Sequence, residues 1–289
     1  MMPVVHGFLS VKGGVGKTSL AIAAALSLAR RGQPVAVFDL DLSGTSLADG
    51  LALCAPSPGR PGVWLSRDET MQARKGTQDL AFIERYLLEP DATFDPQTAA
   101  WRHPDTPTIR WYPSSPRQGD VEASTRRLFF EQDAERTAER LEQMLSAFST
   151  DGAELPIVIV DFPPSMIGLP SLALRQLHRS RSIADFLPVL VSTPDRNDLF
   201  RSAEAFVDLR RQFAALRWLL NKNTMPLEEI RAEVKRFLAP QWSWSGAERL
   251  LRDVGWSGEG LGTLFRTDKL HLPISLLDRM EALLTEDGP

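Results

Sequence analysis

The sequence contains a single cysteine, Cys54, in 289 residues. That excludes an intramolecular disulfide and any metal or iron–sulfur site built from several cysteines of one chain. A lone cysteine of this kind reads as a packing residue. No stretch approaches the ~18 consecutive apolar residues of a membrane-spanning helix. The opening MMPVVHGFLS lacks the basic start and long apolar run of a secretory signal, so the expected location is cytoplasmic. A strong charge of one sign is also missing, since the net charge is −4. The stretch Arg201 to Leu270 is net basic, with twelve Lys/Arg against nine Asp/Glu. Such a surplus is ordinarily solvated helix surface; its functional alternative is a nucleic-acid footprint.

What is present suits a folded core, with 43% hydrophobic and 24% charged residues. The length fits one large α/β domain over residues 1–289. Apolar strands are expected at Val4–Val11, Pro34–Asp39, Ile109–Tyr112, Pro156–Asp161, Phe186–Ser192 and Arg217–Leu220. Helices are expected at Thr18–Arg30, with Gly32 as its stop, at Leu80–Leu88, at Thr125–Phe148 and at Asp198–Leu216. Strands separated by helix-length segments mean βαβ units. The predicted fold is therefore α/β, a doubly wound, mostly parallel sheet flanked by helices. Residues 60–107, dense in prolines and turn formers, look like an elaboration on this core. Residues 226–289 look mainly helical. Trp242, Trp244 and Trp256 cluster there and read as core residues.

The chemistry concentrates at Lys12-Gly13-Gly14-Val15-Gly16-Lys17-Thr18, between an apolar strand and a helix. That is the context of a phosphate loop. Glycines let several backbone N–H groups converge on one phosphate, and the helix N-terminus adds partial positive charge. The expected nucleotide contacts are Gly13, Gly14, Val15, Gly16, Lys17, Thr18 and Ser19. Lys17 would bridge the β- and γ-phosphates, and the Thr18 hydroxyl would hold Mg²⁺. Where the usual loop has its first glycine this chain has Val11, and it carries an extra lysine, Lys12.

KGGVGKTS resembles the deviant Walker A motif of the ParA/MinD group of P-loop ATPases. The resemblance implies ATP and Mg²⁺ as ligands and an ATP-dependent homodimer. It also implies that Lys12 reaches the partner subunit's nucleotide. Val35-Ala-Val-Phe-Asp39-Leu-Asp41 resembles the family's second motif. By that resemblance Asp41 positions the attacking water, Asp39 helps organise Mg²⁺, and Ser43-Gly44-Thr45-Ser46 forms a first switch loop. Leu42-Ser43 departs from the Pro-Gln common in partition ATPases. Ile157-Val-Ile-Val-Asp161-Phe-Pro163-Pro164-Ser165 resembles the Walker B strand and second switch, with Asp161 towards Mg²⁺. Val189 to Asp195 resembles a strand ending in a Thr-Pro turn. Leu219-Leu220-Asn221-Lys222 resembles the strand whose asparagine contacts adenine.

Three functions are compatible with these residues. The first is a partition-type switch binding DNA non-specifically in its ATP state, associated with the nucleoid and stimulated by a protein partner. Its candidate basic residues are Arg210, Arg211, Arg217, Arg231, Lys235, Arg236, Arg249 and Arg252. The second is a switch that positions a protein effector without DNA. A membrane-binding version is disfavoured, because Pro273–Leu284 lacks net positive charge and reads as a docked core helix. The third is an ATP-dependent metabolic enzyme on the same fold.

Overall fold

The structure is a computed structural model that describes residues 2–42, 47–76, 80–130, 133–148, 156–238, 246–254 and 272–285. Seven strands form one sheet: β1 Val4–Leu9, β2 Val35–Asp39, β3 Ile109–Tyr112, β4 Ile157–Asp161, β5 Asp185–Ser192, β6 Arg217–Leu220 and β7 Leu251–Asp253. Their order is β3-β2-β4-β1-β5-β6-β7, and every pairing is parallel. The helices are α1 Lys17–Arg30, α2 Leu47–Gly50, α3 Arg67–Lys75, α4 Ile83–Leu88, α5 Gln118–Thr125, α6 Ala134–Ser146, α7 Leu169–Arg179, α8 Arg196–Arg210, α9 Leu227–Leu238, α10 Ala247–Leu250 and a C-terminal helix Ile274–Thr285.

The continuous apolar strands follow from burial on both faces. Val5, Leu9, Phe38, Val158, Val160, Leu190 and Trp218 point to one core, shared with residues of α6, α7, α8 and α9. Phe8, Val35, Val37, Ile159, Val189 and Leu219 point to the other, shared with α1 and the C-terminal helix. Leu276, Leu277, Met280, Leu283 and Leu284 of that last helix are buried. It is pinned where Ser27 Oγ donates to the Leu277 carbonyl at 2.9 Å, and where Arg30 and Arg31 pair with Asp278 and Glu281. The expected docked helix is thus a docked helix.

Three expectations need correction. The helix expected over Thr125–Phe148 is interrupted: α5 passes into a π-helical turn, Arg126–Phe130, and α6 begins afresh at Ala134. The apolar spacing reads across this break, although the π turn shifts the phase. The helix expected over Asp198–Leu216 runs from Arg196 to Arg210. The mainly helical C-terminal part also contributes an edge strand, β7, too short to leave a periodic signal. The tryptophans at 242, 244 and 256 and the switch loop 43–46 lie outside the described residues.

The elaboration before Pro107 covers the open edge of the sheet. Trp101 and Trp111 exchange backbone hydrogen bonds at 2.8 and 3.1 Å as an antiparallel bridge on the outer side of β3. A parallel sheet edge is closed against further strand pairing in this way. The same stretch supplies α3, whose Ser66 and Glu69 form a capping box, and α4.

Candidate functional site

The carboxyl ends of β1, β2 and β4 meet where the strand order reverses beside β1, the position at which open α/β sheets hold ligands. A cavity of about 340 Å³ opens there, lined by Ser10, the loop Gly13 to Ser19, Asp41, Pro164 and Lys222. Gly14 and Gly16 adopt φ of 77° and 87°, a region open to glycine at little cost. A Cβ on Gly16 would also lie 2.3 Å from Asn221 Nδ2, so a side chain here would displace that amide. Helix α1 starts directly behind this loop with no side-chain cap and no acidic residue in its first turn. Its leading N–H groups are therefore left for an anion, and the helix dipole favours one there.

Parallel register brings the acidic groups together. Asp39 at the end of β2 is the register partner of Asp161 at the end of β4. Lys17, buried, forms an ion pair with Asp161 Oδ1. Asp161 is fully buried, and its other oxygen has no hydrogen-bond partner. Asp39 has a donor on each oxygen: Oδ1 accepts from the Asp41 N–H at 3.1 Å, and Oδ2 accepts from the Leu47 N–H at 2.8 Å and the Ser114 hydroxyl at 2.7 Å. Burial, and after it the Asp161 carboxylate, push the Asp39 carboxyl up to about 7. Asp39 thus holds the backbone N–H groups of Asp41, which lines the cavity, and of Leu47.

The segment after β4 is tied to the segment after β1. Ser165 adopts φ of 113°, and its N–H donates to the Ser10 carbonyl at 2.9 Å. Lys12 stands outside the cavity wall, exposed, with Nζ 3.5 Å from Asp195 Oδ1. Asp195 caps α8 by accepting from the Asp198 N–H at 3.1 Å, and the Thr193 hydroxyl and N–H both reach Asp198. The Thr-Pro turn is therefore a helix-capping device that also holds Lys12.

Asn221, expected to contact adenine, directly follows β6. It is buried, and its Nδ2 donates to the Val15 carbonyl at 2.8 Å, supporting the loop from behind. Its Oδ1 has no partner. Three residues of the site were absent from the sequence-based set. Lys222 donates to the Gly14 carbonyl at 2.7 Å, and its only sequence signal was its place next to Asn221. Ser10 lines the cavity with a buried hydroxyl lacking a partner. Ser114 reaches the site only because β3 lies beside β2, which no local pattern announces.

Among the described residues no group of three or more His, Cys, Asp or Glu side chains is placed to hold a metal. Mg²⁺ at phosphates needs less, because substrate oxygens and waters complete its shell. The unpartnered Asp161 oxygen and the Thr18 hydroxyl in the first turn of α1 fit that requirement.

Comparison with known proteins follows the same lines. Residues 7–233 match the family model described as the CobQ/CobB/MinD/ParA nucleotide binding domain. No curated protein matches the chain significantly. Among solved structures, a ParA family ATPase from Chlorobium tepidum is similar at TM-score 0.62 and 16% identity, with 98% of each chain covered. The septum site-determining protein MinD of Pyrococcus horikoshii, complexed with Mg-ADP, is similar at 0.55 and 14%, with 99% and 97% covered. A plasmid partition protein from Borrelia burgdorferi is similar at 0.51 and 14%, with 96% and 97% covered. At such identities these likenesses establish the fold alone.

Proposed function

Because the chain belongs to the CobQ/CobB/MinD/ParA nucleotide-binding family, we propose that it is a ParA-like ATPase whose bound ATP switches it from monomer to homodimer. The observation that carries this is the uncapped start of α1 behind a glycine loop, with Lys17 held on a half-satisfied Asp161. That arrangement is an anion site whose central cation is stored on an internal carboxylate until phosphate arrives.

ATP enters along Gly13 to Ser19, and Lys17 exchanges Asp161 for the β- and γ-phosphates. Bound Mg²⁺ would neutralise phosphate charge, held by Thr18 and by the released Asp161 directly or through its waters. Asp39 already has a donor on each oxygen, so its share in organising Mg²⁺ would be indirect, through Asp41 and Leu47, whose N–H groups it holds. Asp41 orients the water that attacks the γ-phosphorus, and ADP and inorganic phosphate leave. Lys12 gives up Asp195 and completes the partner's site, adding a cation where charge develops. Turnover is slow and a protein partner accelerates it.

The test uses Asp41→Ala in sedimentation velocity with ATP or ADP, alongside phosphate release. A dimer with ATP alone, and turnover lowered at least ~100-fold, supports the switch. Turnover equal to that of the unaltered protein refutes the role of Asp41. A monomer in both nucleotides refutes the dimer.

Non-specific DNA binding in the ATP state requires an open basic face. Several of the basic residues are engaged locally: Arg210 with the Ala214 and Leu216 carbonyls, Arg231 with the Leu251 carbonyl and Glu228, Arg252 with the Arg249 carbonyl. Lys235 and Arg236 on α9 are exposed. Duplex-DNA binding by Asp41→Ala at low and moderate salt separates the two cargo classes. ATP-dependent, salt-weakened binding supports a partition role; no binding leaves a protein effector as the cargo.

A further inference from the structure

The loop Gly13 to Gly16 is held by two consecutive residues. Asn221 Nδ2 donates to the Val15 carbonyl at 2.8 Å, and Lys222 Nζ donates to the Gly14 carbonyl at 2.7 Å. A trans peptide points its C=O and N–H in opposite directions. Fixing the Gly14 carbonyl on Lys222 therefore turns the Val15 N–H away from Lys222, and fixing the Val15 carbonyl on Asn221 turns the Gly16 N–H away from Asn221. Among the described residues neither N–H donates to a protein acceptor. These are the donors that a phosphate nest requires.

Lys222 adds more than an amide does. Its ammonium puts a full positive charge against the Gly14–Val15 peptide, and a donor on the carbonyl strengthens the N–H of the same peptide as a donor. Lys222 itself lines the cavity. It also adopts φ of 56°, one of two non-glycine residues in the left-handed region among the described residues. That conformation is unfavourable for a lysine and well tolerated by asparagine. Strain of this kind persists where the surroundings hold it and gathers at ligand clamps.

We propose that Lys222 is a further nucleotide-binding residue, a strained cationic latch that orients the phosphate loop and adds positive charge for the polyphosphate. This rests on the nucleotide-binding function proposed above. A mere strut and a binding latch make opposite predictions. Lys222→Asn removes the cation and relieves the backbone. If Lys222 acts on the nucleotide, affinity falls while thermal stability holds or rises.

The experiment titrates the full chain with MgADP and with MgAMPPNP by calorimetry, and melts each protein without nucleotide. Lys222→Asn is expected to raise both dissociation constants roughly tenfold, with Tm unchanged or higher. Lys222→Arg keeps the charge and is expected to retain most of the affinity. Wild-type affinity in Lys222→Asn overturns the latch and leaves nucleotide binding intact. A fall in Tm together with affinity overturns it in favour of a structural strut. An unaltered chain that binds neither nucleotide overturns both this inference and the function on which it rests.

Discussion

Glu84 is a carboxyl group where a core side chain would be expected. It lies on α4, in the elaboration, buried, with Oε1 accepting from the Ser115 N–H at 2.6 Å and Oε2 unpartnered. Burial is the largest influence on it. The Ser115 N–H partly offsets burial, and Asp39 and Asp120 add repulsion, so that its pKa is pushed up to about 8 from 4.5. The folded protein therefore keeps this proton between about pH 4.5 and 8, while the unfolded chain releases it. Folded protein binds more protons in that window, so this group's contribution is fully favourable below 4.5. It is lost as pH rises towards 8. At 1.36 kcal/mol per unit the swing has an upper limit of about 5 kcal/mol. Glu84→Gln keeps the acceptor for Ser115 and cannot ionise. Its stranded amide adds a roughly pH-independent penalty of about 1–3 kcal/mol. Urea denaturation of both proteins at pH 5, 6, 7 and 8 reads the difference. Glu84→Gln should gain on the parent by several kcal/mol between pH 5 and pH 8. Parallel pH profiles would refute the reasoning, because they would mean that Glu84 ionises in the fold as easily as in water.

Gly16→Ala should lose about 2–4 kcal/mol of stability, from a left-handed alanine and a Cβ driven into the Asn221 amide. ADP binding should go with it; unchanged urea midpoint and affinity would contradict the geometry. Lys17→Met leaves Asp161 buried with no cation, and should cost about 3–5 kcal/mol at pH 7.5 by chemical denaturation. A neutral outcome would mean that water reaches this carboxylate. Lys12→Ala removes only an exposed ion pair from the monomer, so its melting temperature should move by less than about 2 °C. ADP affinity should stay within a few-fold of the parent and the ATP-dependent dimer should disappear in sedimentation; a dimer that survives would free Lys12 of its cross-subunit role.

Local sequence pattern determined the elements that need only local physics. The apolar runs at β1, β2, β4 and β5 announced buried parallel strands, and alternation with helix-length segments announced the fold class. The phosphate loop was legible because its function is a backbone property of neighbouring residues: glycines, a lysine and a helix start, all within seven positions. Asp39 and Asp161 stood out through the resemblance of their strands to family motifs, and the parallel sheet sets the two strand ends side by side. What the Asp39 carboxylate touches was decided by strand order: β3 beside β2 delivers Ser114 to it, across a separation of 75 residues. The same holds for Glu84, whose raised pKa comes from being enclosed by segments distant in the chain. Asn221 and Lys222 sit beneath a loop more than 200 residues earlier because β6 lies two strands from β1. Hydrophobic periodicity and turn chemistry act over a few residues and can be read along the chain. Hydrogen-bond saturation and desolvation depend on which distant groups share a space, and that is set only when the sheet is assembled.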